Sequence, residues 1–282
     1  MSRVLVTGSS GLLGSHVCAA LVAAHYEVTG LDLAAPAQGS GWSHVTGDAG
    51  RLDILAELCA GMDTVVHCAA IPRPTGRAAS DVFHINMSAT YAALEATRLH
   101  RIERFVYASS FSVLGYPFFE QPVAPPYLPV DEAHPIGTQD VYATTKWLGE
   151  EMVEAAVRRG LHSAVSLRMP WIQTPATFFH DVGLRRTQPD AARDLWAYLD
   201  ARDAADAFVA AVQRPIIGHL RLLLSAADSY GDQPSAELAA AAYPQAEMRK
   251  QLAGNTALID TSAAYDALGF TPRYSWRDYP RA

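Results

Sequence analysis

Through the first 170 residues, short β-branched runs alternate with longer stretches rich in alanine and leucine. Val4–Thr7, Glu27–Leu31, the residues around Val45, Thr64–His67, Phe105–Ser109 and Ala164–Leu167 have the length and near-continuous apolar character of strands buried on both faces. Gly11–Ala24, Arg51–Ala60, Ser80–His100 and Val141–Arg159 lie between or beside them and are long enough to be helices. Strands separated by helix-length segments predict right-handed βαβ crossovers, and therefore an α/β fold with a doubly wound parallel sheet of the Rossmann type.

The rhythm changes after Arg168. Thr174–Pro189 reads as loop, Ala204–Gln213 as helix, Leu220–Leu224 as strand, and Ser235–Tyr243 and Ser262–Leu268 as helices. These pieces are too few for a second sheet domain. The expected organisation is a dinucleotide-binding domain over residues 1–170 and a small C-terminal substrate-binding lobe over 171–282, partly interleaved with it. Within the first part, the proline- and aromatic-rich stretch Gly115–His134 cannot be a regular helix or a central strand. Loops of this length in compact domains usually serve function.

Composition narrows the function. Apolar residues make up 50% of the chain and charged residues 18%, which favours a packed globule over a disordered chain. The net charge of −7, without a Lys/Arg cluster, argues against a nucleic-acid partner. No apolar run reaches membrane-spanning length, and the first strand begins too early for a leader, so a cytoplasmic protein with no membrane partner is expected. Cys18, Cys59 and Cys68 are odd in number and lack a CxxC pair, which fits reduced thiols. The ten histidines are scattered without metal-ligand spacing, so no metal is expected.

The first strand runs into VTGSSGLLG. Gly8 permits a tight turn, Gly11 lets the backbone approach a pyrophosphate, and Gly14 lets the helix pack on the sheet. The phosphates would lie at the helix N-terminus, at Leu12 and Leu13, where unpaired N–H groups and the helix dipole favour anions. The spacing is GxxGxxG, one residue longer in its first half than the commonest form. Asp32 ends the second strand where a carboxylate can accept hydrogen bonds from adenosine ribose hydroxyls. It would repel a 2′-phosphate, and no cation follows it in GLDLAAPAQ, so NAD is expected rather than NADP. Asp48 either approaches the adenine edge or belongs to the turn before a helix.

Val141-Tyr142-Ala143-Thr144-Thr145-Lys146 contains a YxxxK pair. Residues four apart share a helical face, which brings the Lys146 ammonium near the Tyr142 phenol. That cation, joined by an oxidised nicotinamide, favours phenolate, and a downward shift of roughly 3 pH units would fit Tyr142 for acid–base work at neutral pH. The strand Phe105–Ser109 runs into Ser110 at the end of the sheet that faces the ligand crevice. Ser110 can hold a substrate carbonyl or alcohol, Ser109 is assigned to the cofactor side, and Ser112 either assists with substrate or forms the turn.

These residues carry a resemblance. TGSSGLLG, Asp32, GDAGR, VVHCAA, Asn86 in INMSAT, YASSFSVLG, PVDEAHP, YATTK, LRMP and the segment around Asp203 occur in the order seen in extended short-chain dehydrogenases/reductases. The chain is similar to the NAD-dependent epimerase/dehydratase family of that group. The resemblance implies that Gly8, Gly11, Gly14 and Asp32 bind NAD, that Ala69 and Ala70 line the cofactor cleft, and that Pro170 lies near the nicotinamide carboxamide. It also implies that Ser110 binds substrate, Tyr142 transfers the proton and Lys146 grips the ribose. By analogy, the helices Asp81–His100 and Val141–Arg159 would pair in a homodimer.

Two departures bear on the substrate. Leu114 stands where the family often has tyrosine, and Thr174-Pro175 replaces its usual glycine-proline. Only 34 residues separate Arg168 from Asp203, with Arg185, Arg186 and Arg193 as candidate anchors. That segment is short for a nucleotide handle, so a small sugar-like or uronate-like substrate is expected, with Arg185 and Arg186 contacting it. Arg168 itself is expected to pair with a carboxylate beneath the site. Three functions share these residues: an NAD-dependent oxidoreductase, an epimerase or dehydratase without net cofactor turnover, and a non-catalytic NAD sensor.

Overall fold

The computed structural model describes residues 1–36, 40–186, 188 and 190–280. Strand β1 (Arg3–Thr7) turns through the glycines into helix α1 (Leu12–Ala23), followed by β2 (Glu27–Asp32), β3 (Ser43–Thr46), α2 (Leu52–Cys59) and β4 (Thr64–His67). Helix α3 (Ala79–Leu99) leads to β5 (Arg104–Ser110), the two-residue β6 (Tyr127–Leu128), α4 (Val141–Arg158) and β7 (Ser163–Met169). The remainder comprises β8 (Trp171–Gln173), α5 (Pro175–Arg185), β9 (Tyr198–Asp200), α6 (Ala201–Gln213), β10 (Gly218–Leu223), α7 (Ser235–Ala242), β11 (Glu247–Met248) and α8 (Ser262–Leu268).

Seven strands form one sheet in the order β10-β7-β5-β4-β1-β2-β3, and every pairing is parallel. This is the doubly wound Rossmann arrangement expected from the sequence. Every residue of β4 and of β7 is buried, because helices cover both faces of the sheet. Val17 and Leu21 of α1 share one core with Phe208 of α6 and Leu268 of α8. On the other face, Leu55 of α2, Ala92 of α3 and Val153 of α4 share another. From β1 the chain winds outward to β2 and β3, then crosses to β4 on the opposite side. That reversal opens a crevice at the carboxyl ends of β1 and β4.

The chain after residue 170 contributes to two layers. Helix α6 and strand β10 join the main sheet and its helical cover, while Phe178, Trp196, Tyr198, Tyr230 and Trp276 build a separate aromatic core. Of the stretch Thr174–Pro189, expected to be loop, Thr187 and Pro189 lie outside the described residues, as do Ala37 and Gln38 at the end of GLDLAAPAQ. The rest is largely helix α5, which corrects the expectation. Pro175 occupies the first turn, where a backbone N–H has no helical partner to lose, and Thr174 and Thr177 close a capping box.

The proline-rich stretch is irregular apart from β6, which pairs in parallel with β11. Two side chains fasten it. The Gln139 amide oxygen accepts from the N–H groups of Glu120 and Gln121 at 3.2 and 2.8 Å. Arg193 donates to the carbonyls of Pro117 and Phe119 at 3.2 and 2.6 Å and stacks over the Phe119 ring. The loop so held presents Phe118 edge-on to Tyr142, with ring centres 6.4 Å apart.

Candidate active site

The glycine turn is closely packed. Gly8 sits at a φ of +73°, and a Cβ there would fall 2.7 Å from the Ala69 nitrogen. A Cβ on Gly14 would fall 1.9 Å from the Gly8 carbonyl oxygen, so helix, turn and the end of β4 meet only if both positions are glycine. No side chain caps α1, which leaves the N–H groups of its first turn available to a ligand. The Asp32 carboxylate accepts from Ser10 N–H at 3.0 Å and Ala34 N–H at 3.1 Å, which places it beside the turn. Uncapped N–H groups next to a strand-end carboxylate form a donor and acceptor set that fits the pyrophosphate and ribose of a dinucleotide.

A cleft of about 520 Å³ extends from this turn across the strand ends to the C-terminal lobe, and Gly8, Gly11, Leu12, Leu13, Gly14 and Ala70 line its first part. Ala69 packs its backbone behind Gly8 instead. Asp48 does not line the cleft. Its carboxylate accepts from Gly50 N–H at 2.8 Å and its carbonyl from Arg51 N–H at 3.0 Å, so it builds the turn before α2.

Ser110, Tyr142 and Lys146 all reach the middle of the cleft, with Pro170 alongside. Helix α4 starts where it does because the Asp140 side chain accepts from Ala143 N–H at 2.9 Å, which puts Tyr142 in the first turn. Lys146 lies one turn on, its Nζ 5.8 Å from the centre of the Tyr142 ring, and donates to the Ala108 carbonyl at 2.8 Å. The Ser110 hydroxyl oxygen accepts from both Ser112 N–H and Ser112 Oγ, at 3.1 and 2.9 Å. Ser112 therefore fixes the direction of Ser110. Ser109 also lines the cleft, and its hydroxyl donates to Glu150 at 2.5 Å.

Burial dominates the electrostatics. It pushes the Tyr142 phenol up to about 12, against the pull of a hydrogen bond with Ser110. In the protein alone the ammonium is engaged by Ala108 and desolvation outweighs its pull on the phenol; the expected downward shift is one for Lys146 together with an oxidised nicotinamide. Burial also lowers Lys146 to about 8, although Cys68 and Glu150 both favour its charged form. His67 is held neutral, down to about 3, by burial and by Lys146. Its ring nitrogens contact Thr7 Oγ1 and Thr90 Oγ1, so it ties β1 to β4 and α3.

Glu150 is the residue that sequence reading missed. It is fully buried, accepts from Arg168 through Nε at 2.9 Å and Nη2 at 2.7 Å, and has Arg221 Nε 3.3 Å away. Arg168 thus pairs with a carboxylate below the site, as expected. The signal was present, since Glu150 stands four residues after Lys146 and eight after Tyr142, on the same helical face. Asn86 joins α3 to this assembly. Its amide accepts from Ile71 N–H at 2.7 Å and donates to Thr145 Oγ1 at 3.0 Å.

The three candidate anchors part company. Arg185 lines the cleft, with its Nε 3.1 Å from Asp194, itself a lining residue. Arg186 does not line it: the guanidinium pairs with Asp232 at 3.1 Å and lies over the buried ring of Trp276. Adjacent helical residues point about 100° apart, so both arginines cannot serve one cleft. Arg193 clamps the proline-rich loop.

The sequence profile of the NAD dependent epimerase/dehydratase family matches residues 4–219. The chain belongs to this family. NAD is the family's cofactor. Among its relatives, a 4-hydroxy-2-methyl-3-oxo-4-farnesyl-3,4-dihydroquinoline-1-oxide ketoreductase of Stigmatella aurantiaca is 34% identical over 170 residues, covering 58% of this chain and 48% of that one. The L-arabinose 1-dehydrogenase (NAD(P)(+)) of Haloferax volcanii is 32% identical over 181 residues, covering 62% of this chain and 68% of the relative. The match thus spans about half the length of the ketoreductase. A solved UDP-glucose 4-epimerase from Bifidobacterium longum, in complex with NAD+ and UDP, superposes with a TM-score of 0.74 at 21% identity, over 99% of this chain and 96% of that one.

Proposed function

We propose that the protein is an NAD-dependent oxidoreductase acting at the hydroxyl or carbonyl carbon of a small sugar-like or uronate-like compound. The observation that carries this reading is the buried set of Ser110, Tyr142 and Lys146 on one continuous cleft with the glycine turn. NAD, when bound, supplies the hydride acceptor or donor. Ser110 holds the reacting oxygen of the substrate, aimed by the two hydrogen bonds from Ser112. In reduction the Tyr142 phenol donates its proton to the carbonyl oxygen and becomes phenolate; in the oxidative direction the phenolate, formed by prior loss of that proton, takes the proton of the substrate hydroxyl. Lys146 places a positive charge beside the phenol, which eases loss of that proton. The Glu150–Arg168 pair anchors α4 to β7 and so holds Tyr142 against Ser110.

Cys18, Cys59 and Cys68 are free thiols, in keeping with a cytoplasmic enzyme. Among the described residues no helix is long and apolar enough to cross a membrane. Phe83, Ile85, Tyr91 and Leu99 are exposed along α3, which supports a homodimer through that helix. The function is tested by following NADH absorbance when the protein meets NAD+ and a panel of free sugars, uronates and nucleotide sugars. Stoichiometric NADH from a small hydroxy compound is expected. An isomerised nucleotide sugar without NADH would instead assign an epimerase.

A further inference from the structure

Among the described residues, the buried and half-buried charges lining the lobe side of the cleft are Arg185 and Asp194, which form an ion pair, although Arg185 Nε makes no hydrogen bond. Arg185 Nε lies 3.1 Å from Asp194 Oδ2. Asp194 is almost wholly buried, and its Oδ1 also accepts from Tyr230 Oη at 2.6 Å and from Trp196 N–H at 3.1 Å. Leu195 and Trp196 follow at φ of 56° and 49°, a left-handed bend rarely taken by bulky side chains, and it returns Trp196 N–H to the carboxylate. The rest of that end is apolar, with Phe111, Phe118, Met169 and Trp171 in its walls. Arg186, Arg193 and Lys146 are engaged elsewhere.

We propose that the substrate is an uncharged polyhydroxylated compound, a neutral sugar or polyol, whose hydroxyl groups are read by the Arg185–Asp194 pair. This deepens the oxidoreductase reading of the same site and rests on it. A hydroxyl both accepts and donates, so it can take an N–H from Arg185 and give its own proton to Asp194. A carboxylate or phosphate cannot donate. It would leave water to meet a guanidinium already neutralised, with a second carboxylate directly behind, and its lost hydration would go uncompensated. Arg73 lies on the exposed rim, where water and salt weaken its attraction for an anion.

The test uses matched pairs, the same sugar as its neutral aldose and as its uronate. Binding to the NADH-loaded protein is measured by calorimetry, and NADH formation from NAD+ is followed in parallel. The neutral member is expected to bind at least about tenfold more tightly, since an unpartnered buried charge costs more than that factor. Asp194→Asn keeps the shape but frees Arg185, and should move the ratio towards the uronate by about tenfold. The wild-type ratio decides the matter even if that variant folds poorly. Equal or tighter uronate binding by the wild type overturns the proposal, as does a uronate preference that Arg73→Ala abolishes. Isomerised product without net NADH would sink the oxidoreductase reading while the binding ratio still decided the charge of the substrate. If no pair binds, both fall.

Discussion

Replacing Lys146 with methionine should make the protein more stable and inactive. The ammonium is buried, and its surroundings lower its pKa from the ordinary 10.5 to about 8. That difference corresponds to about 3 kcal/mol of penalty for keeping the charge inside the folded protein. Methionine follows the same stem without the charge, but leaves the Ala108 carbonyl without its 2.8 Å donor, a loss of about 1 kcal/mol. The net gain of about 2 kcal/mol should raise the melting temperature by roughly 4 °C in a chain of this size. The pH dependence carries the same signature. Between about pH 8 and 10.5 the unfolded wild type binds the Lys146 proton and the folded protein does not, so its stability rises with pH across that window. Below the window both states hold the proton and the full penalty is present. Chemical denaturation of both proteins from pH 6 to 10.5 would show their stabilities converging as the pH rises. A Lys146→Met protein that is less stable than the parent at neutral pH, or whose difference does not shrink with pH, would refute the reasoning.

Gly14→Ala should abolish NAD binding in calorimetry, because its Cβ would sit 1.9 Å from the Gly8 carbonyl oxygen and the turn would have to open. Glu150→Gln leaves Arg168 charged and buried without its full counter-ion, and should cost about 3–5 kcal/mol, read as a melting temperature lower by roughly 6–10 °C. The rate of carbonyl reduction should decline as the pH rises through about 8, where Lys146 loses its proton, and the stopped-flow pH profile of NADH consumption checks this.

The parts of the molecule legible in the sequence are those that local spacing dictates. Gly8 and Gly14 announce a turn that a side chain would break, and the four-residue step from Tyr142 to Lys146 places both on one helical face before any tertiary contact is known. Strand runs such as Thr64–His67 are apolar throughout because both faces are covered. Long-range pairing was not legible. Nothing near Asp194 in sequence indicates Arg185 or Tyr230 as its partners, and Arg193 meets the carbonyls of Pro117 and Phe119 across more than 70 residues. Arg185 and Arg186 are alike as adjacent cations in a string, whereas in the fold one lines the cleft and the other pairs with Asp232. Burial, which a sequence does not state, raises the phenol of Tyr142 in the protein alone, opposite to the shift expected from Lys146 together with an oxidised nicotinamide.

The central claim is that one phenol moves the proton in a cleft that holds NAD independently of it. Tyr142→Phe tests it most directly, with NAD affinity measured by calorimetry and turnover by NADH absorbance on the same preparation. The account predicts an NAD dissociation constant within about threefold of the parent and turnover slower by roughly 10²–10⁴-fold. Turnover equal to that of the parent, at the same NAD affinity, would contradict it.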